Sequence, residues 1–402
     1  MRRCRCWQGY IRKEASVTKN RPRNRISGLV LVISLIATGC GDDAASETTL
    51  PWTEEDVTFI FDSDEIFGVL TLPPGDGPFP AVVLIDGSAS EVTGVRQGTA
   101  SRAFINFSRA MVRDGYAVLR YDPPGVGRST GEYPVEILDD RVAESMAALR
   151  HVQSRPDVVP ENVGLWGGSQ GSWVIAQAAA DHPEDVAFII SVSGAGISVA
   201  DQQVWGIETQ SAAAGLADDD VARAGLMGRL LVDWQLTEPI YRAETEPLLA
   251  DLGPGPWEAF AEIVYQSGDS SSAPAIEEVI EILEQVQDEP WAAALFLKEL
   301  YLPRLRAATP ELIAELRASV GASLLTDPRD SLTRVRCPVL AIFGENDIVQ
   351  PTERSATLFE EYLTAADTDD VIIVVMPGIG HDINWTTPGY NEAVSEFLGR
   401  LA

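Results

Sequence analysis

Residues 163–180 read VGLWGGSQGSWVIAQAAA. A short apolar run (Val163, Leu165, Trp166) meets Gly167-Gly168-Ser169-Gln170-Gly171, and an Ala-rich helical pattern begins at once. The order is strand, sharp turn, helix. Glycines two before and two after Ser169 suit a turn in which the serine takes a positive φ, where a side chain at Gly167 or Gly171 would strike the neighbouring strand or helix. Such a turn lifts the hydroxyl clear of the sheet. It also sets the amide of Gln170 at a helix N-terminus, where a developing oxyanion is held. Ser169 is therefore the candidate nucleophile, against the plainer reading of a Gly/Ser turn joining two elements. Gly127-Arg128-Ser129-Thr130-Gly131 has the same spacing, but Pro123, Pro124 and Gly125 separate it from the strand-like AVLRYD (117–122). Glu132-Tyr133-Pro134 follows where a helix would have to start, so Ser129 reads as a loop residue.

Outward from this turn the chain alternates strand and helix. Val57–Phe61 and Ile66–Leu72 predict a hairpin, and Ala81–Ile85 (AVVLI) a strand buried on both faces. A helix over 101–114, a strand over 117–121 and a helix over 136–154 precede the Ser169 unit; a strand over 186–192 follows it. Strands over 338–343 and 371–376 and helices over 353–363 and 390–398 complete a mainly parallel sheet with helices on both faces. Between Gly196 and about Gly321 no strand-like run occurs. Ala, Leu and acidic residues carry Trp205, Trp234, Trp257 and Trp291 there, punctuated by prolines. This predicts an all-helical insertion, residues 197–321, between core segments 57–196 and 322–402. Most of its tryptophans are expected to fill its own core, with the remainder favouring apolar or aromatic substrate groups.

A serine hydroxyl needs an adjacent base, usually a histidine oriented by a carboxylate. The chain has three histidines. His151 lies within a predicted surface helix and His182 ends the helix after Ser169. His381, in Gly378-Ile379-Gly380-His381, follows the last apolar strand and so lies at the same sheet edge as Ser169. The carboxylate is expected in Phe343-Gly344-Glu345-Asn346-Asp347. Asp347 is preferred to Glu345 because a few residues must pass before a side chain points back, and to Asp382, because adjacent residues on an extended chain point apart. The order is Ser169, Asp347, His381.

On these residues the chain resembles serine hydrolases of the α/β-hydrolase fold, which share this order of nucleophile, acid and base. Tyr121-Asp122-Pro123-Pro124-Gly125-Val126-Gly127-Arg128-Ser129 resembles that family's D-x-x-G-x-G-x-S turn, which is structural. The subgroup most alike is the exported esterases and aminopeptidase-like hydrolases. The resemblance covers roughly 57–196 and 332–402, and the helical insertion corresponds to the family's variable cap. It implies hydrolysis through an acyl-enzyme, an oxyanion hole from the amides of Gln170 and Ser88, and no metal or organic cofactor. Many members carry His-Gly where this chain has Asp86-Gly87-Ser88, placing a carboxylate beside the expected hole. The substrate expected is a small ester, with a short peptide or amide, or acyl transfer to another acceptor, as alternatives. An alternative of another kind is a surface lipoprotein that keeps the fold and only binds.

The N-terminus predicts export. Nine basic residues and one acidic residue within 1–39 precede an apolar run, Leu29–Ala37, too short to span a bilayer. Cys40, after Ala37-Thr38-Gly39, resembles the lipid-attachment cysteine of bacterial lipoproteins, with 40–56 a polar tether. The protein would then sit outside the cytoplasmic membrane, held by lipid alone; the length of the basic region allows a start downstream of Met1. Cys4 and Cys6 leave with the signal, so Cys337 remains alone and no disulfide framework is expected. Of 30 basic and 60 acidic residues in the chain, 21 and 59 follow residue 39, a net charge of −38. That excess argues against nucleic acid and against docking on anionic lipid. Oligomeric state is left open.

Overall fold

The computed structural model describes residues 52–88, 98–101, 104–131, 138–266, 273–368 and 370–401. The export segment and Cys40 lie outside them. An eight-stranded sheet forms the centre: β1 (Thr53–Phe61), β2 (Asp64–Leu72), β3 (Phe79–Ile85), β4 (Ala117–Tyr121), β5 (Val158–Gly168), β6 (Ile189–Val192), β7 (Val339–Gly344) and β8 (Val371–Met376). They lie in the order β1-β2-β4-β3-β5-β6-β7-β8. β1 pairs antiparallel with β2 and β2 antiparallel with β4; the pairings from β4 to β8 are parallel. This is the α/β-hydrolase fold. The hairpin turns at Asp62, whose φ of 52° matches Asp's tolerance of the left-handed region.

The continuous apolar runs follow from burial on both faces. Ala81, Val83 and Ile85 enter one core, while Val82 and Leu84 enter the other. The first core is covered by α2 (Leu138–Gln153) and α3 (Gly171–Asp181); the second lies under α1 (Ile105–Arg113) and the C-terminal helix. The ends of α1 and α2 fall inside the expected ranges. Residues 136 and 137, the expected first residues of α2, are outside the described residues.

Between β6 and β7 the chain is helical: α4 (Val199–Ala213), α5 (Asp218–Gln235), α6 (Arg242–Leu252), α7 (Pro256–Gln266), α8 (Ala273–Val286), α9 (Leu302–Ala307) and α10 (Pro310–Leu324). Trp234, Trp257 and Trp291 are buried in this cap's own core with Leu230, Phe260 and Leu283. Three of the four cap tryptophans thus fill the cap's own core, as expected for most of them, and only Trp205, on α4 and half-buried, remains for a substrate-facing role. The cap is not a detachable body. Val199, Ala200 and Val204 of α4, and Val320 and Leu324 of α10, belong to the main core. After it come α11 (Pro328–Leu332), α12 (Thr352–Ala365) and α13 (Tyr390–Leu401).

Candidate active site

Ser169 sits between β5 and α3 with φ 51°, one of few non-glycine residues in the left-handed region. Its conformation is over-determined. Ser169 N donates to the Val192 carbonyl (2.8 Å) and Ser172 N donates back to the Ser169 carbonyl (2.9 Å). The flanking glycines are sterically required. A Cβ on Gly167 would lie 2.4 Å from the Gly171 carbonyl oxygen, and one on Gly171 would lie 2.7 Å from that of Asp86. The serine itself is half-buried, which leaves its hydroxyl accessible.

The loops after β7 and β8 close on this turn from neighbouring strand ends. Asn346 N donates to the Ile379 carbonyl (2.8 Å), and Gly378 N donates to Glu345 Oε2 (2.7 Å). Gly344 and Gly380 approach so closely that a Cβ at 344 would fall 2.2 Å from the Gly380 oxygen. The structure thus brings the three expected side chains into a line: His381 Nε2 is 3.0 Å from Ser169 Oγ, and His381 Nδ1 is 2.8 Å from Asp347 Oδ2. Asp347 Oδ1 accepts from Val349 N (2.7 Å) and Gln350 N (2.9 Å). A buried carboxylate that only accepts assigns the proton to Nδ1, leaving Nε2 to accept from the serine hydroxyl. Glu345, the rejected carboxylate, ties the two loops together.

A second group lies on the opposite side of Ser169. Gly87 approaches Ser169 so tightly that a Cβ there would stand 3.2 Å from Ser169 Cβ. This puts the Gly87–Ser88 peptide beside it, while Gln170 opens α3. Asp86, expected to burden this region with negative charge, is paired: Arg141 Nη2 lies 2.6 Å from Asp86 Oδ1, with the arginine side chain fully buried. Arg141 was missed from sequence. Its signal was a charged residue on the apolar stripe of α2, next to Val142. Ser193, at the end of β6 with φ 52°, was also missed; its hydroxyl donates to the His381 carbonyl (2.7 Å).

The other candidates are accounted for. Ser129 Oγ donates to the Asp122 carbonyl (2.5 Å) and accepts from Phe67 N (2.8 Å), fastening its loop to β2. Asp122 Oδ2 accepts from Arg128 N, and burial raises its carboxyl above the ordinary value. His151 stacks on Phe59, with its pKa lowered chiefly by burial. His182 follows the C-terminus of α3. A cavity of about 380 Å³ lined by Trp52, Leu72, Pro73, Phe79 and Asp157 opens at the far edge of the sheet, where β3 and β5 begin.

The sequence profile of the X-Pro dipeptidyl-peptidase (S15) family matches residues 62–378. The chain belongs to this peptidase S15 family. It is a hydrolase of the α/β-hydrolase type. An Escherichia coli protein described as an uncharacterized 31.7 kDa protein in the traX-finO intergenic region is 21% identical over 299 residues, 74% of this chain and 83% of that one. Among solved structures, Est1E from Butyrivibrio proteoclasticus with ferulic acid bound is 16% identical, with TM-score 0.48 over 86% of this chain and 98% of that one. The proline iminopeptidase of Mycobacterium smegmatis is 18% identical, with TM-score 0.48 over the same shares. At such identities these likenesses carry no argument about substrate in this S15 member.

Proposed function

We propose that the protein is a serine hydrolase that cleaves an ester through an acyl-enzyme on Ser169. The observation that carries this reading is the hydrogen-bonded line Ser169–His381–Asp347, 3.0 and 2.8 Å long. Ser169 Oγ attacks the carbonyl carbon while its proton passes to His381 Nε2; Asp347 stabilises the imidazolium and holds its orientation. The amides of Gln170 and Ser88 take the oxyanion. Collapse expels the alcohol, which leaves with the proton from His381, and water then repeats the sequence to release the acid. The pairing of Asp86 with Arg141 answers the motive for a non-catalytic binding protein, because no uncompensated carboxylate need oppose the oxyanion.

A second reading, peptide cleavage behind a free amino terminus, draws on the family description, X-Pro dipeptidyl-peptidase. Such an enzyme needs a carboxylate to meet the ammonium group. Near Ser169, Asp86 is paired with Arg141 and Asp347 with His381. Neither of these two carboxylates is therefore available to meet an ammonium group, which supports the ester reading among the described residues. Transfer of the acyl group to an acceptor other than water uses the same intermediate. We further propose that residues 1–39 direct export and that Cys40 carries the lipid that anchors the domain outside the cytoplasmic membrane.

The test is turnover of p-nitrophenyl esters of several chain lengths beside amino-acid and X-Pro anilides, with product analysis. Ser169→Ala is expected to abolish turnover and fluorophosphonate labelling, while Ser129→Ala retains both if it folds. Wild-type activity in Ser169→Ala would sink the assignment. Faster turnover of X-Pro anilides than of every ester would establish the second reading.

A further inference from the structure

Burying a guanidinium is unfavourable unless its N–H groups find acceptors. Arg141 finds four. Nη2 donates to Asp86 Oδ1 (2.6 Å) and to the Asp86 carbonyl (2.8 Å); Nη1 donates to Gln170 Oε1 (2.5 Å) and to the Gly87 carbonyl (3.3 Å). The acceptors come from two separate segments, the end of β3 and the start of α3. Those segments carry the two amides assigned above to the oxyanion. Arg141 itself stands on a third element, α2, locked in the main core by Leu138, Val142 and Leu149.

The geometry of a trans peptide adds a direction. The carbonyl of Gly87 and the N–H of Ser88 belong to one planar unit and point opposite ways. Drawing the Gly87 oxygen toward Arg141 therefore turns the Ser88 N–H away from Arg141. Gly87 is also the residue whose missing side chain lets this peptide lie against Ser169. On the other segment, the bond to Gln170 Oε1 pins the residue that follows the nucleophile. One planar fork thus sets the spacing of both segments, which a point-like ammonium cannot reproduce.

We propose that Arg141 is the positioning residue of the oxyanion hole, and that Asp86 is present to receive its guanidinium rather than to act on substrate. This rests on the serine-hydrolase reading. Arg141 touches no reacting atom; it acts by fixing the Ser88 and Gln170 amides before the reaction begins. Its loss should weaken transition-state stabilisation and leave substrate binding and the basicity of His381 as they were.

The experiment is steady-state kinetics of the full chain on a p-nitrophenyl ester. Wild type, Arg141→Lys and the double variant Arg141→Met/Asp86→Asn, which leaves no orphaned charge, are compared, with thermal melting as the folding control. Ser169→Ala runs alongside: if it stays active, the hydrolase reading itself has failed, an outcome distinct from those below. With wild type active and Ser169→Ala dead, kcat in both Arg141 variants is expected to fall about 10²-fold or more, the scale of losing one oxyanion donor. KM should stay within about threefold, and the acidic limb of the pH profile should not move. A folded variant with wild-type kcat overturns the proposal. So does a loss confined to KM, or a displaced acidic limb. Gln170→Ala keeps the main-chain amide and the Arg141–Asp86 pair, so it decides the matter if both Arg141 variants misfold. It should lower kcat about fivefold at unchanged KM, and no loss there also overturns the proposal.

Discussion

Replacing Asp347 by Asn changes one oxygen into an NH2 group, and the surroundings dictate which one. Oδ1 accepts from Val349 N and Gln350 N at 2.7 and 2.9 Å, so the amide oxygen must take that place. The NH2 group then faces His381 Nδ1, which has to become an acceptor. The ring proton moves to Nε2, where it blocks the transfer from Ser169. Turning the amide over would restore the useful tautomer, but it sets the NH2 group against two buried N–H donors. Two lost hydrogen bonds at about 1 kcal/mol each make that orientation at least about 2 kcal/mol less stable, leaving only a few per cent of the molecules competent. Loss of the carboxylate charge beside the developing imidazolium lowers the rate further. The expected fall in kcat is about 10³- to 10⁴-fold, or roughly 4 to 5 kcal/mol, with little change in melting temperature. The assay is p-nitrophenyl ester turnover by wild type, Asp347→Asn and Asp382→Asn, the last expected to stay within a few-fold of wild type. A folded Asp347→Asn enzyme within tenfold of wild type would refute the argument.

Gly171→Ala places a methyl 2.7 Å from the Asp86 oxygen and 2.9 Å from that of Ile85; denaturant unfolding should show a loss above about 2 kcal/mol with activity gone. Gly399→Ala, with open space around it on α13, should be neutral or gain up to about 1 kcal/mol, and a similar response at both sites would contradict the packing described. Burial raises the Glu144 carboxyl from its ordinary 4.5 to about 8, with Tyr121 donating to Oε1. The unfolded chain gives up this proton near 4.5 and the folded one near 8, so the stabilisation is complete below about 4.5 and drains away as pH rises to about 8. Urea melts at pH 5 and pH 8 should show wild type losing more stability than Glu144→Gln over that interval; equal losses would count against it. With a net charge of −38 after residue 39, the melting temperature should rise between about 0.01 and 1 M NaCl as the Debye length falls from about 30 to 3 Å. A flat or falling series would remove repulsion as a factor.

What could be read from sequence was whatever announces itself locally. The turn around Ser169 was legible because the glycines it needs stand within two residues, and the strands because burial on both faces writes an uninterrupted apolar run such as Ala81–Ile85. Asp347 and His381 were legible as residues just past such runs. Arg141 was not, since its partners lie 55 and 29 positions away and nothing near it names them. Ser193 meets the His381 carbonyl across 188 positions. For the cap tryptophans composition gave the majority outcome, three of four in the cap's own core, but not which residue would be the exception.

Ser169 and His381, the proposed nucleophile and base, stand 212 residues apart, on either side of the cap. At about 5 to 20 residues per second, a ribosome takes roughly 10 to 40 s to travel from one codon to the other. During that interval the Ser169 turn can already form on its own strand and helix while the histidine that would activate it has not been made. The hydrogen-bonded line from Ser169 to Asp347 cannot close before residue 381 is made, and any chain cut short before that residue lacks its middle member.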